Sequence, residues 1–313
     1  MAGALVGLTV AKNEADIIEA MVRHNLGFLD GLHIIDNDSA DATPDILEAL
    51  AIEFSGRLTW EIDRRTGHLQ TAFVNAALGP LLARTGATQI VLLDADEFVR
   101  ADPAVFREML LAVRLPVLLP WVTYVPTAND DASVLNPSER ITHRRRRERQ
   151  QFYKVTVPAH LVGKVRVMPG NHRLRGAGED AAIKPEGLSL AHFPVRSVEQ
   201  LTSKVLIGAW NMRLRAKRGP NEGYHWHELA ARVLAGQALT EADLQIVAMG
   251  YSARKATGIR PDPLAPCGTV ALKYTPDGKA NLMRNLAAFT ESCVRLIEST
   301  SGRGIPTESS GQG

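Results

Sequence analysis

One strand of this sequence ends in a dense group of carboxylates. Residues 89–93 are apolar after the first position, and Asp94, Asp96 and Glu97 follow within four residues. Continuous apolar strands occur where helices cover both faces of a sheet, so the pattern favours an α/β fold over a one-sided β-sheet. Open α/β sheets bind ligands at the carboxyl ends of their strands. The three carboxylates therefore predict a ligand site at that edge.

Carboxylates this close repel one another unless a cation lies between them. Mg²⁺ and Mn²⁺ suit such a position, because these hard ions take one or two carboxylates and complete their shells with water and phosphate oxygens. Asp-x-Asp also occurs in phosphatases of the haloacid dehalogenase type and in surface turns. Polar residues end the first two strands as well: Lys12, Asn13 and Glu14, and Asp36, Asn37, Asp38 and Ser39. Polar groups on three strand ends favour a divalent metal and a phosphate-bearing substrate.

Composition limits the class of protein. At 313 residues and 45% hydrophobic, the chain can form one large domain or a domain with an extension. Cys267 and Cys293 form neither a disulfide framework nor a metal-ligand spacing, which predicts reduced thiols in a cytoplasm. The start has no signal-peptide pattern, and no run has the length to span a bilayer. We expect a cytoplasmic enzyme, and the net charge of +2 leaves peripheral membrane contact open.

Positive charge is concentrated in one run, Arg144 to Arg149, interrupted only by Glu148. A solvated loop is the first interpretation of such a run. The second is a basic lid over a pyrophosphate or an acidic acceptor. Nucleic-acid binding is not expected, because neither interleaved aromatic residues nor a known binding motif accompanies the run.

The order of apolar segments predicts the architecture. Strands and amphipathic helices alternate over the first 125 residues, which is typical of a mostly parallel sheet covered on both faces. The predicted strands are 4–11, from 32, 58–62, the apolar strand from 89 that ends at the carboxylates, and 117–125, with helices at 15–28, from 43, and at 69–82. Short strands at 152–157 and 164–167 lie in a loop-rich region, and the later helices are 198–215, 224–234, 241–251 and 282–299. We expect a catalytic domain over 1–196, a helical extension over 197–300 and a disordered tail over 301–313.

Several short segments together resemble a known family. They are Lys12-Asn13-Glu14, His24-Asn25, residues 36–43 and Asp94-Ala95-Asp96-Glu97-Phe98. In this order they are similar to family-2-like glycosyltransferases, and Gly170-Asn171-His172 and residues 191–200 resemble later motifs of one bacterial branch. The resemblance implies the GT-A fold, a Rossmann-like, mostly parallel sheet flanked by helices, here with a helical C-terminal extension. It also implies transfer of a sugar, with inversion, from a nucleotide-diphosphate sugar to a glycan or other hydroxyl acceptor. A UDP-sugar is the favoured donor, and Mn²⁺ or Mg²⁺ the cofactor.

The resemblance also implies roles for individual residues. Nucleotide-sugar contacts fall on Ala11, Asn13, Glu14, Asp36, Arg65, Gln70, Asp94 and Ala95. Metal ligands fall on Asp94, Asp96 and His192, although His192 can equally be a satisfied core residue. For the general base, Asp180 is the first candidate, Glu179 the second and His172 the third. Turn and helix-cap chemistry is the preferred interpretation of Asp38, Ser39 and Asp41.

Two other functions stay open from the sequence. A metal-dependent phosphohydrolase also uses Asp-x-Asp at a strand end, but those enzymes place it after the first strand and this chain has it after the fourth. A catalytically silent module that binds glycan or protein is the second alternative. A nicotinamide-dependent enzyme is disfavoured, because no Gly-x-Gly-x-x-Gly follows the first strand.

Overall fold

The computed structural model describes residues 3–65, 70–177, 181–213, 224–251, 256–268 and 271–301. The strands are β1 (Leu5–Ala11), β2 (Gly31–Asp36), β3 (Leu58–Ile62), β4 (Gln89–Asp94), β5 (Glu97–Arg100), β6 (Leu118–Thr123), β7 (His143–Arg145), β8 (Tyr153–Pro158), β9 (Val165–Val167), β10 (Leu174–Gly176), β11 (Ser189–His192) and β12 (Ile259–Pro261). The helices are α1 (Ile18–Asn25), α2 (Thr43–Glu53), α3 (Gln70–Thr85), α4 (Pro103–Ala112), α5 (Pro137–Arg140), α6 (Val198–Arg213), α7 (Tyr224–Leu234), α8 (Glu241–Gly250) and α9 (Gly278–Ser301).

An eight-stranded sheet forms the centre of the molecule, in the order β3-β2-β1-β4-β8-β6-β11-β5. The first four strands run parallel, β8 is antiparallel to both β4 and β6, and β11 is parallel to β6. Six of the eight strands therefore point the same way, and the predicted mostly parallel α/β sheet is confirmed. Two further two-stranded sheets pair β9 with β10 and β7 with β12.

The predicted apolar strand that ends at the carboxylates is β4, Gln89–Asp94, and the residues after it form a further strand that was not predicted. The chain reverses after Asp94, and β5 returns along β11 with Phe98 opposite Ala191. Antiparallel pairing of β5 extends the sheet and carries the Asp96 and Glu97 backbone away from the end of β4. Periodicity along the chain gives no sign of this reversal, because the residues on both sides of it are apolar.

The double cover of the sheet explains the apolar sequence of β4. Val91 and Leu93 pack into the cluster that contains α1 and α2, whereas Ile90 and Leu92 pack on the other face with α3. All four side chains are fully buried. Since full burial of such a side chain contributes roughly 1.5–3 kcal/mol, these positions fix the strand in the middle of the sheet.

The C-terminal part packs as a third apolar cluster built from α6, α7 and α8. The chain then returns to α1, where the buried Glu19 carboxylate accepts hydrogen bonds from the backbone amides of Lys273, Tyr274 and Thr275. The region predicted as a helical extension thus also contributes β12 and this returning segment. None of the helices that the structure describes is long and apolar enough to cross a membrane.

The arginine run divides into two parts, and neither sequence interpretation holds for the first. Arg144 and Arg145 are buried: Arg144 binds Asp262 at 2.7 Å, and Arg145 binds Glu148 at 2.8 Å and the carbonyl of Tyr251 at 2.9 Å. These two residues join β7 to the C-terminal region. Exposed guanidinium groups remain at Arg146, Arg147 and Arg149.

Candidate active site

The carboxyl ends of β1, β2 and β4 lie side by side, as the sequence predicted. Register places Ala11 beside Asp36, and Val10 beside Asp94. Three non-glycine residues in the described ranges have a left-handed backbone, and all lie in loops at this edge: Asn13, Asp38 and Asn171, with φ of 56°, 53° and 58°. Residues in this sparsely populated region cluster at functional sites, where the surrounding structure holds them.

Asp94 is held by two side chains from outside its own strand. The Gln70 amide, at the start of α3, donates to Oδ1 at 2.7 Å, and the Lys154 ammonium, on β8, donates to Oδ2 at 2.5 Å. The Asp94 side chain remains 27% exposed, whereas that of Lys154 is 1% exposed. The β4 carboxylate therefore faces solvent with a buried cation behind it.

Glu97 lies beneath Asp94 and has no exposed side-chain surface. Its Oε2 accepts the Asp94 backbone amide at 2.9 Å, and its Oε1 is 3.6 Å from Lys154 Nζ. Burial raises the pKa of Glu97 well above its ordinary value, in opposition to the Lys154 charge. Burial lowers the pKa of Lys154, but the Asp94 and Glu97 charges outweigh it and the net shift is upward. Lys154 is thus a permanent cation beneath the turn at residues 94–97, the acidic turn.

Asp96 lies between a histidine and an arginine. His192 Nε2 is 3.7 Å from Asp96 Oδ1, and Arg196 Nη1 is 3.7 Å from Oδ2. Arg196 also binds Asp16 and Glu14, each at 2.6 Å. Burial raises the pKa of Glu14 to about 7, although Arg196 opposes the rise. The loop after β1 is thereby tied to the loop after β11 by one buried guanidinium.

The predicted metal ligands are only partly assembled. No group of three or more His, Cys, Asp or Glu side chains within the described ranges is arranged around a metal position. Asp96 and His192 do face each other, with Oδ1 and Nε2 3.7 Å apart. The buried Nδ1 of His192 has no hydrogen-bond partner within the part of the chain that the structure covers. The pair can supply two of the ligands that a divalent ion needs, whereas Asp94 is directed toward Gln70 and Lys154.

An aromatic group flanks the acidic turn. Trp121 stacks on His192 at 4.3 Å between ring centroids and meets the His172 edge at 5.6 Å. Phe152 lies 5.1 Å from Trp121, and Tyr251 lies 5.4 Å from His192. Flat apolar rings beside carboxylates can bind the faces of a sugar or a base.

Several residues predicted to bind the nucleotide sugar have structural partners. Asp36 is fully buried, and its two oxygens accept the amide and hydroxyl of Ser39 at 2.9 and 2.5 Å. Asn13 accepts the Ala40 amide at 2.8 Å. These bonds order the facing loops after β1 and β2. They also match the turn chemistry expected for Ser39.

Arg65 lies apart from the acidic turn. Its guanidinium binds the neighbouring Asp63 and lies 4.6 Å from the centre of the Phe73 ring. Ala11 is buried at the end of β1, and Ala95 is buried in the turn after β4. Gln70, Asp94, Asp96, Glu14 and His192 are the predicted site residues that the structure brings together around Lys154 and Arg196.

Of the three candidates for the base, Asp180 and Glu179 lie outside the described residues. His172 lies at the acidic turn, and its Nδ1 is 2.8 Å from the carbonyl of Tyr153. A carbonyl accepts only, so Nδ1 carries the proton and Nε2 keeps a lone pair. Burial lowers the pKa of His172. Nε2 is therefore the ring nitrogen that can accept a proton.

Sequence analysis gave no role to Lys154 or Arg196, the two cations that balance these carboxylates. A signal for Lys154 exists, because a single lysine within the strand Tyr153–Pro158 is rarely buried without a charged partner. The identity of that partner is not readable, since Asp94 lies 60 residues away. Trp121 and Tyr251 were missed for the same reason.

No protein-family model and no curated protein matches this chain. Similar solved structures include residues 1–349 of S. aureus TarS, at 11% identity and a TM-score of 0.37, over 74% of this chain and 70% of that one. A mannosyltransferase from Pyrobaculum calidifontis, in complex with GDP-Man and Mn²⁺, is 16% identical with a TM-score of 0.38, over 78% and 79%. Glucosyl-3-phosphoglycerate synthase from Mycobacterium tuberculosis, with Mn²⁺ and UDP, is 17% identical with a TM-score of 0.35, over 64% and 75%.

Proposed function

We propose that this protein is a glycosyltransferase that moves a sugar from a nucleotide-diphosphate sugar, with a UDP-sugar favoured, to an acceptor hydroxyl with inversion. In this proposal residues 1–196 bind the donor and carry the catalytic groups, and residues 197–300 complete the fold around them. Both cysteines are free thiols, in keeping with a location in the cytoplasm.

One observation carries the proposal: Asp94 and Asp96 flank a turn at the carboxyl edge of the parallel strands, beside loops that Asp36 and Asn13 hold in shape. This edge is where open α/β sheets bind nucleotides. Gln70 begins α3 directly beside Asp94, so the amino end of a helix also faces this edge. Helix amino ends favour anionic groups such as a diphosphate.

A divalent ion is part of the proposal, with Asp96 and His192 as its ligands and Asp94 beside them. Mn²⁺ or Mg²⁺ there supplies a Lewis acid that offsets negative charge on the leaving nucleoside diphosphate. Lys154 supports Asp94 from the buried side and compensates the negative charge of this turn. Arg196 does the same for Asp96 and fixes the Glu14 loop that would lie along the donor.

Inverting transfer needs a group that takes the proton of the acceptor hydroxyl as its oxygen attacks the anomeric carbon. Asp180, Glu179 and His172 are the three candidates. Because Nδ1 of His172 binds the Tyr153 carbonyl, Nε2 has the lone pair for this role. The glycine at position 170 allows the His172 ring to lie close to it, since a side chain there would clash with the ring. Trp121 and Phe152 would then border the acceptor sugar.

The test measures release of the nucleoside diphosphate from UDP- and GDP-sugars with Mn²⁺, Mg²⁺ or EDTA, and nucleotide binding by calorimetry. We expect binding that needs the ion and falls in Asp96→Asn and His192→Gln. Asp131→Asn, which changes an exposed carboxylate far along the chain, is the matched control. Equal nucleotide affinity in wild type and Asp96→Asn, with and without EDTA, would refute the metal site.

Turnover separates the three candidate bases. His172→Ala, Asp180→Asn and Glu179→Gln are compared at saturating donor, and we expect the true base to lose about 10² to 10⁴ in rate with little change in donor affinity. Release of inorganic phosphate without a nucleoside diphosphate would instead identify a phosphohydrolase. Nucleotide or glycan binding without any turnover would identify a silent binding module.

A further inference from the structure

The hairpin of β9 and β10 has two different faces. Val167 pairs with Leu174, and both are buried in the apolar cluster beneath α3. Since side chains alternate across a strand, the strand neighbours of this pair, Arg166 and Arg175, point to the opposite, outer face. This hairpin is therefore held from below by core packing, and its outer face carries exposed side chains.

Four basic residues occupy the outer face. Arg166 lies directly opposite Arg175 in the register. Lys164 precedes β9 and Arg173 precedes β10, each two positions from one of these arginines, and backbone hydrogen bonds from Ala177 to Lys164 and from Met168 to Arg173 continue the pairing at both ends. All four are exposed. Like charges directly opposite in a hairpin destabilise it. Among the residues that the structure describes, no acidic side chain forms an ion pair with any of the four, so within this part of the chain their charges are left to solvent or to an anion.

This face begins at the candidate active site. The turn between β9 and β10 contains Gly170, whose carbonyl accepts a hydrogen bond from Lys154 at 2.8 Å, and Lys154 in turn binds Asp94. Arg173 is three residues from Gly170 and so within about 11 Å of it along an extended backbone. An elongated molecule with one end at the acidic turn can therefore reach the basic face.

We propose that the outer face of this hairpin binds the phosphate groups of an acceptor that carries two or more phosphates. That the ligand is the acceptor rests on the proposed function. That phosphate groups bind here rests on the charge and position of the four basic residues. Arginine matches phosphate in a two-pronged geometry, and two opposed arginines flanked by two further cations suit several phosphates better than one. The donor diphosphate has its own position at the strand ends.

A membrane surface fits this face less well. Peripheral membrane contact combines basic residues with exposed large apolar side chains. The exposed large hydrophobic residues of the described chain lie elsewhere, and none falls between residues 164 and 177. A soluble or extended phosphate-bearing acceptor is therefore the occupant that the composition of the face favours.

The experiment measures binding of tripolyphosphate by calorimetry, in EDTA, to the full chain. The test variant is Arg166→Gln with Arg175→Gln, and the matched control is Arg146→Gln with Arg147→Gln, an equal charge change on exposed arginines outside the hairpin. We expect the test variant to lose about tenfold or more in affinity, with a shallower salt dependence, and the control to lose little. The midpoint temperature of thermal unfolding should be unchanged or slightly higher in the test variant, because a like-charge pair is removed.

Equal loss in both variants, or no loss in the test variant, would overturn the proposal. So would a defect of the test variant in binding vesicles of phosphatidylcholine and phosphatidylglycerol without any defect for tripolyphosphate, since that result identifies a membrane surface. UDP binding with Mn²⁺ is measured on the same samples. If UDP fails to bind wild type while tripolyphosphate binding depends on Arg166 and Arg175, the proposed function fails and the anion site stands.

Discussion

Lys154 is the residue whose removal tests the electrostatics of the site most directly. Its ammonium binds Asp94 and the carbonyl of Gly170, and lies 3.6 Å from the fully buried Glu97. Lys154→Met keeps much of the apolar stem and removes the charge. Breaking a buried pair by removing one partner costs about 3–5 kcal/mol, because the remaining charge is left uncompensated. We expect a loss of that size in the free energy of unfolding near pH 8.

The pH dependence of the stability lost in Lys154→Met follows from the pKa shifts of Lys154 and Glu97. The pKa of Lys154 is raised in the folded protein, so its stabilising contribution is fully present below its ordinary value near 10.5 and is lost only as the pH rises through the folded value. The pKa of Glu97 is also raised, so lowering the pH protonates Glu97 and removes one of the uncompensated charges. The cost of Lys154→Met should therefore be smaller near pH 5 than near pH 8.

The assay is urea denaturation of wild type, Lys154→Met, Asp94→Asn and the double variant, with and without Mn²⁺. We expect the double variant to recover about 1.5–3 kcal/mol relative to the sum of the single variants, the range of a charge-assisted hydrogen bond. Mn²⁺ should stabilise Lys154→Met more than wild type, because Asp94 no longer binds an ammonium group and can bind the metal ion instead. Additive costs in the cycle, or a cost below about 1 kcal/mol for Lys154→Met, would refute the assigned role.

Three further results are expected. Burial raises the pKa of Glu14 from 4.5 to about 7, so its stabilising contribution is present below pH 4.5 and lost as the pH rises through about 7; Glu14→Gln should remove that decline in urea denaturation, and parallel pH curves would contradict the assignment. Asp36→Ala breaks two bonds to Ser39 and should cost about 1–3 kcal/mol as well as weaken nucleotide binding, whereas unchanged stability would show that the loop does not depend on it. Arg145→Gln should destabilise the fold by about 3 kcal/mol or more while Arg147→Gln changes it by less than about 0.5, and similar values for both would contradict the burial of Arg145.

The local sequence pattern was sufficient to predict the parallel half of the sheet. β1, β2 and β4 were predictable because helices cover both of their faces, and a doubly covered strand has a nearly continuous apolar sequence. Strand direction then places their carboxyl ends together, so Asp94, Asp96 and Glu14 could be assigned to one edge from the sequence. The loop chemistry of Ser39 was predictable too, since its partner Asp36 is three residues away.

The balance of charge at that edge was decided only by the tertiary structure. Arg196 meets Glu14 across 182 residues and Lys154 meets Asp94 across 60, and a sequence pattern carries no information about such distant partners. The same is true of Arg145, which the sequence assigned to a charged surface. A buried cation is stable only where carboxylates or carbonyls converge on it, and that convergence exists only after β8, β11 and the C-terminal region have packed against the sheet.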